Sequence, residues 1–149
     1  MSLIRYLKYW IPVLLWMILI FWMSTKTFSE QNTASIVHPV LRFLTPSISQ
    51  DMIDMIHKVI RKLAHSAEYF VLGLLLFRAF RSDSKELRIS RWVFSSFIVL
   101  VLYAACDEFH QTFVHTRTAS LNDVEIDMAG GIIAIGLRAL LHLSRQRRH

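Results

Sequence analysis

Cysteine is almost missing from this chain: Cys106 stands alone among 149 residues, so no intramolecular disulfide can form. No CxxC pair offers zinc or thioredoxin-like chemistry, and Cys106 reads as a small packing residue. Glycine and proline are scarce, at four and three, and the chain carries no internal repeat or low-complexity tract. HExxH and GxSxG are absent too, so no defined hydrolytic motif is available. After Met23 the chain reads Ser24-Thr25-Lys26 without an Ala-x-Ala cleavage pattern, so the basic, then apolar, start reads as an uncleaved signal anchor.

What fills the sequence is apolar. Hydrophobic residues make up 54% and mean hydropathy is +0.39, too apolar for a typical soluble domain and of a length that suits one domain, residues 1–149. Four runs approach the roughly 20 residues that a spanning helix needs: residues 6–23, 63–80, 92 to about 114, and about 124 to 143. Pro12 lies inside the first, where a membrane helix tolerates it. The expected fold is therefore an all-α integral membrane bundle of four transmembrane helices, multi-pass in the cell membrane.

The longest connection, residues 24–61, has two characters. Its first half is rich in Ser, Thr, Asn and Gln and reads as loop. After Pro46 and a candidate N-cap, Ser49, the residues Met52, Ile53, Ile56, Val59 and Ile60 recur at helical spacing, with Asp51, Asp54, His57 and Lys58 on other faces. That segment is either a short interfacial helix before the second span or an early start of the span itself.

The formal net charge of +6 does not point to nucleic acid, because Lys and Arg fall between apolar runs rather than on one basic face. Their distribution orients the chain instead. Arg5 and Lys8, then Arg81, Lys85, Arg88 and Arg91, then Arg145, Arg147 and Arg148 all fall on one side of an even-span topology. The other side carries Lys26, Arg42, Lys58 and Arg117, with Arg61 and Lys62 at the boundary. By the positive-inside rule both termini are expected in the cytoplasm.

That orientation gathers polar residues from three segments at the outer face. Span two enters with Lys62, His65, Glu68 and Tyr69; span three arrives with Asp107, Glu108, His110 and Gln111; span four begins with Asp123, Glu125 and Asp127, after a connection holding Arg117 and Ser120. Lys62, His65 and Tyr69 share one helical face, with Glu68 beside it. Asp123 and Asp127 are one turn apart, and Gly130 and Gly131 continue their face, allowing a neighbouring helix to approach closely. An ionisable group at the bilayer centre costs about 2.5–3.5 kcal/mol, so such groups must pair or meet water. Lys62 or Arg117 against Asp107, Glu108 or Asp127 is the expected pairing. Taken singly, Arg61, Lys62, His110 and Asp123 read as markers of the headgroup level. His65, Glu68, Asp107, Glu108 and Asp127 together read as a functional cluster, against the alternative of an ionic network that holds the bundle together.

At these residues the sequence resembles the VanZ-like family, named after a protein associated with resistance to glycopeptides, specifically teicoplanin. The resemblance lies in Lys62-Leu-Ala-His65-Ser-Ala-Glu68-Tyr69 followed by Leu72 and Leu75, then Asp107-Glu108-Phe-His-Gln111-Thr-Phe113, then Arg117, Ser120, Asp123 and Gly130. The Met23-Ser24-Thr25 step is similar to the family's serine-containing exit from its first helix. Where the family usually has Asn four residues after the span-four Asp, this chain has Asp127. An Asn donates and accepts, whereas an ionised Asp only accepts, so Asp127 calls for a cationic partner such as Lys62, Arg117 or protonated His65, or else is itself protonated by burial. The resemblance implies an envelope or antibiotic-response role without defining a reaction.

Four functions are compatible with this pattern. The first is an outward-facing pocket for an anionic lipid-linked or cell-wall-related headgroup, formed by Lys62, His65, Tyr69, Asp107, Glu108, Gln111, Arg117, Ser120, Asp123 and Asp127. In it Lys62 and Arg117 hold the anion and His65, tuned by Glu68, Asp107 or Glu108, exchanges a proton. The second is an intramembrane lipid-modifying enzyme with His65, Glu68, Asp107 and Glu108 as catalytic candidates. His65, Asp107, Glu108 and Asp127 offer N and O ligands to a divalent ion, yet no motif spacing assigns a metal site, and no cofactor is expected. The third is a small transporter, and the fourth a subunit of an envelope complex. Membrane lipids are the expected partners, nucleic acid is not, and oligomerisation stays open. The basic segments Arg81 to Arg91 and Arg145 to Arg148 read as topology determinants.

Overall fold

A computed structural model describes residues 3–24, 30–83, 88–112 and 121–147. These form five helices: α1 (Leu3–Met23), α2 (Glu30–Leu44), α3 (Gln50–Asp83), α4 (Ile89–Thr112) and α5 (Leu121–Gln146). Four of them, α1, α3, α4 and α5, are long and apolar enough to cross a membrane. Their outer surfaces are apolar as well: Leu15 and Ile18 on α1, Phe94, Leu102 and Phe109 on α4, and Ile133 and Leu140 on α5 are all exposed. For a soluble protein such continuous apolar surface would drive aggregation, whereas in a bilayer it is the face that lipid covers.

α3 is the hub, since α1, α2, α4 and α5 all pack against it. It has 34 residues, a length of about 51 Å at 1.5 Å per residue, against a hydrocarbon core of about 30 Å. It is therefore longer than the hydrocarbon is thick. Ser49 begins the helix, its hydroxyl accepting the Met52 N–H at 3.3 Å. The segment from Gln50 to Arg61 is thus the early start of span two and not a separate interfacial helix, because no break interrupts the backbone ladder between it and Leu63. Its buried face also differs from the one the apolar spacing suggests. Ile53 and His57, one turn apart, are buried, while Met52, Val59 and Ile60 are exposed.

What meets His57 is α2, where the sequence reads as loop. Thr33, Val37 and Leu41 recur every four residues and turn their half-buried sides to the bundle, which is the pattern of a packed helix. Pro39 sits mid-helix on the exposed side, where its missing N–H costs one backbone bond and no packing. Polar contacts fix α2 to α3: Arg42 donates to Gln50 Oε1 at 2.6 Å and His38 Nε2 lies 3.5 Å from Asp54, which within α3 also accepts from Gln50 at 2.9 Å. The outer side of α2 carries Ile36, Val40, Phe43 and Leu44, all exposed. That apolar stripe suits a helix lying at the bilayer surface.

The tightest packing is between α3 and α5, which run in the same direction. Gly130 lies so close to α3 that an added Cβ would fall far inside van der Waals contact with the Ser66 carbonyl oxygen, and Gly73 faces the backbone of Gly131 in the same way. The close approach expected of Gly130 and Gly131 is therefore present, with α3 as the partner. Around it Tyr69, Leu72, Leu76 and Phe77 of α3, Leu100 and Ala104 of α4, Ile135 of α5, and Val13 and Ile20 of α1 form the buried core. Cys106, by contrast, is exposed, because it falls on the outward side of α4 between Leu102 and Phe109.

Gly130→Ala is expected to destabilise the detergent-solubilised protein by about 1–3 kcal/mol, the usual cost of overpacking, read as a lowered thermal transition. Gly136→Ala, whose Cβ would meet nothing within 4 Å, should leave the transition unchanged or raise it, since Ala is the better helix former. Equal behaviour of the two variants would rule out the close α3–α5 approach.

Candidate functional site

The centre of the polar end is a single buried carboxylate. Asp107 on α4 is 2% exposed, and its Oδ2 accepts hydrogen bonds from Ser24 Oγ at 3.0 Å and from the Tyr69 hydroxyl at 3.3 Å. Ser24 ends α1, and its own N–H is held by the Ile20 carbonyl at 2.8 Å. Three spanning helices thus converge on one side chain. A hydrogen bond to a charged group contributes about 1.5–3 kcal/mol, and two such bonds offset part of the several kcal/mol that burying a carboxylate costs.

Around this knot, further bonds hold α1 in register. The Trp16 indole N–H donates to the Glu68 carbonyl at 2.9 Å, and the Tyr103 hydroxyl donates to the Met17 carbonyl. His110 lies beside Phe21 with ring centroids 4.1 Å apart, so it packs against α1. Glu108 is half-buried one residue beyond Asp107.

A second layer lies outside the knot, under α2. There a cavity of about 180 Å³ is bounded by Met23, Thr33, His57, Arg61, His65 and Glu68, with Val37, Ile60 and Ala64 completing its wall. His65 Nδ1 faces Glu68 Oε2 at 3.3 Å, a pair one turn apart on α3. Thr33 Oγ1 and His57 Nε2 share a hydrogen bond of 2.9 Å across the α2–α3 contact, and the His57 ring meets His38 edge to face at 5.4 Å. Chemically, the cavity combines one guanidinium, two imidazoles and one carboxylate with apolar walls. It can hold a small anion against Arg61, and it can move a proton at the His65 ring.

The predicted cluster is therefore split in two. Tyr69 and Asp107 belong to the buried knot; His65 and Glu68 belong to the cavity wall; Lys62 is exposed and does not line the cavity, and its neighbour Arg61 does. Arg117 and Ser120 fall outside the described residues, as do the side chains of Gln111, Asp123 and Asp127. Among the described residues, no three His, Cys, Asp or Glu side chains gather closely enough to hold a metal ion. Sequence reasoning misses Thr33, His38 and the inward turn of His57. The signal that could find them is the four-residue recurrence of Thr33, Val37 and Leu41.

The VanZ/LLP1 family profile matches residues 9–142. The chain belongs to that family. The matched stretch runs from α1 through α5, so it takes in the Asp107 knot and the cavity beneath α2. No curated protein and no solved structure matches the chain. As a VanZ/LLP1 protein with four candidate spans, it is a multi-pass membrane protein.

Asp107→Leu should leave the buried Ser24 and Tyr69 hydroxyls without their acceptor, at about 1–3 kcal/mol each. Asp107→Asn keeps an acceptor oxygen and should cost clearly less. Thermal unfolding of the purified variants in detergent measures the order; an Asn variant as unstable as the Leu variant would exclude the hydroxyl-acceptor role.

Proposed function

We propose that this VanZ/LLP1 protein sits in the bacterial cell envelope with both termini in the cytoplasm, and that its cavity beneath α2 faces outward to receive the anionic headgroup of a lipid-linked or cell-wall-related molecule. By that binding it contributes to glycopeptide, and specifically teicoplanin, resistance. The observation that carries this reading is the cavity wall itself. Among the described lining residues, Arg61 alone has a permanent positive charge, while Glu68 is opposed by His65 at 3.3 Å. A guanidinium in the wall of a cleft that also has apolar walls suits a phosphate or carboxylate on an amphiphilic molecule. Family membership supports the envelope role, and the clustering of Arg and Lys at the other end supports the orientation.

A second reading is favoured by one contact. In the His65–Glu68 pair a carboxylate orients an imidazole in a cleft, an arrangement that can serve as a general base on a bound lipid headgroup. Glu68→Gln separates the two readings, because it removes the orienting charge and leaves Arg61 in place. Binding without proton transfer tolerates that change, whereas general-base catalysis loses about 100-fold or more.

Arg61→Ala and His65→Ala, each expressed at the wild-type level, are expected to restore teicoplanin susceptibility in a host that this protein protects. Wild-type susceptibility profiles for both variants would exclude the binding role. The orientation has its own check: an alkaline phosphatase joined to either terminus should stay inactive, and an active fusion would reverse the topology.

A further inference from the structure

A second polar region lies at the opposite end of the bundle, where α3 and α5 end side by side. Two adjoining cavities open there, of about 420 and about 540 Å³. Arg81, Arg138 and His142 line both; Arg145 lines one, and Arg78 the other. Each cavity is thus lined by three guanidinium groups, two of them shared, and no acidic residue is among the described lining side chains. Arg138 is the telling member. It is half-buried and stands eight residues before the end of α5, about 12 Å along the axis, well inside the apolar span. Among the described side chains, Asp83 not being one of them, no ion pair joins a carboxylate to Arg78, Arg81, Arg138 or Arg145. A partly buried guanidinium without a counter-charge is costly unless an anion reaches it.

The remaining walls describe the rest of the ligand. Trp92 is 6% exposed and meets His142 edge to face at 5.4 Å, while Arg78 lies over the Tyr9 ring at 5.1 Å. The cation–π contact holds Arg78 toward the cavity, and Leu141 continues the wall along the outside of α5. A charged recess with aromatic sides, opening along an apolar helix face, fits an anion that carries an acyl tail better than one free in water.

We propose that this recess binds the phosphate of an anionic phospholipid headgroup from the leaflet at that end, with Arg138 and Arg81 as the principal contacts. The site is separate from the cavity beneath α2 and does not depend on it. It also assigns a role to Arg78 and Arg138, which lie within spans rather than in the loops that set topology. A bidentate guanidinium contact to phosphate supplies both charge and direction, and the recess is large enough for a phosphoglycerol group.

The test is native mass spectrometry of delipidated, detergent-solubilised protein titrated with dioleoyl phosphatidylglycerol, with dioleoyl phosphatidylcholine, or with inorganic phosphate. The wild type is expected to retain one phosphatidylglycerol at least about tenfold more tightly than phosphatidylcholine, equivalent to about 1.4 kcal/mol, and to ignore inorganic phosphate. The pair Arg81→Gln with Arg138→Gln should abolish that preference. The pair Arg88→Gln with Arg91→Gln, with the same loss of charge on exposed positions outside the recess, should keep it. Thermal transitions of the two double variants separate lost binding from lost folding. Retention by the Arg81/Arg138 variant, equal loss by the Arg88/Arg91 variant, or equal binding of phosphatidylcholine would each overturn the proposal. Competition by inorganic phosphate at lipid-like concentrations would overturn the lipid source.

Discussion

Two helices that run the same way and touch at glycine govern most of this molecule. Where α3 and α5 meet, Gly73 faces the Gly131 backbone and Gly130 faces the Ser66 carbonyl, so the axes approach as closely as backbone atoms permit. Because the helices are parallel, like ends are brought together. At one end the His65–Glu68 turn of α3 stands beside the start of α5; at the other, Arg78 and Arg81 stand beside Arg138 and Arg145. An antiparallel pair would have set the arginines of one helix against the carboxylates of the other and cancelled both. Here the two ends stay apart and each forms its own site, and the remaining helices are arranged around that separation.

The Asp107 knot joins α1 and α4 to this pair. Hydroxyl donors from Ser24 and Tyr69 reach one carboxylate oxygen, so the end of α1, the middle of α3 and the end of α4 are tied at one point. In the low dielectric of a membrane interior, such bonds have little competition from water. The knot lies next to the cavity beneath α2, since Ser24 and Tyr69 follow the lining residues Met23 and Glu68 in the chain, and Thr33 and Val37 of α2 supply part of its wall.

Legibility in the sequence follows the physics of each feature. The four spans are readable because length and apolarity are what a bilayer selects. The glycine contact is readable because Gly130 and Gly131 share a face of a membrane helix, where small residues let a neighbour come close. Asp107 is readable as an inward residue because a carboxylate in an apolar run has nowhere else to go. α2 is hidden by Pro39, by the β-branched residues around it, and by the polar stretch before it, all of which weigh against a helix in isolation. The Ile53–His57 face escapes for another reason. Periodicity finds the apolar side of a helix, and for α3 that side, with Met52, Val59 and Ile60, points outward, while a histidine points in. Arg78 and Arg138 are visible as charges within spans, but counting basic residues by loop passes over them.

Cys106 turns out to face outward, one position from a carboxylate that is almost wholly enclosed. On α4 it shares its side with Leu102 and Phe109, so it is a thiol set in a lipid-facing stripe. A chain with one sulfhydryl needs no engineering to be labelled at one place. A spin label or fluorophore there sits on the outer surface of α4 and shares a backbone with the Asp107 knot. Movement of that knot, whatever causes it, would be transmitted to the probe through a single peptide unit.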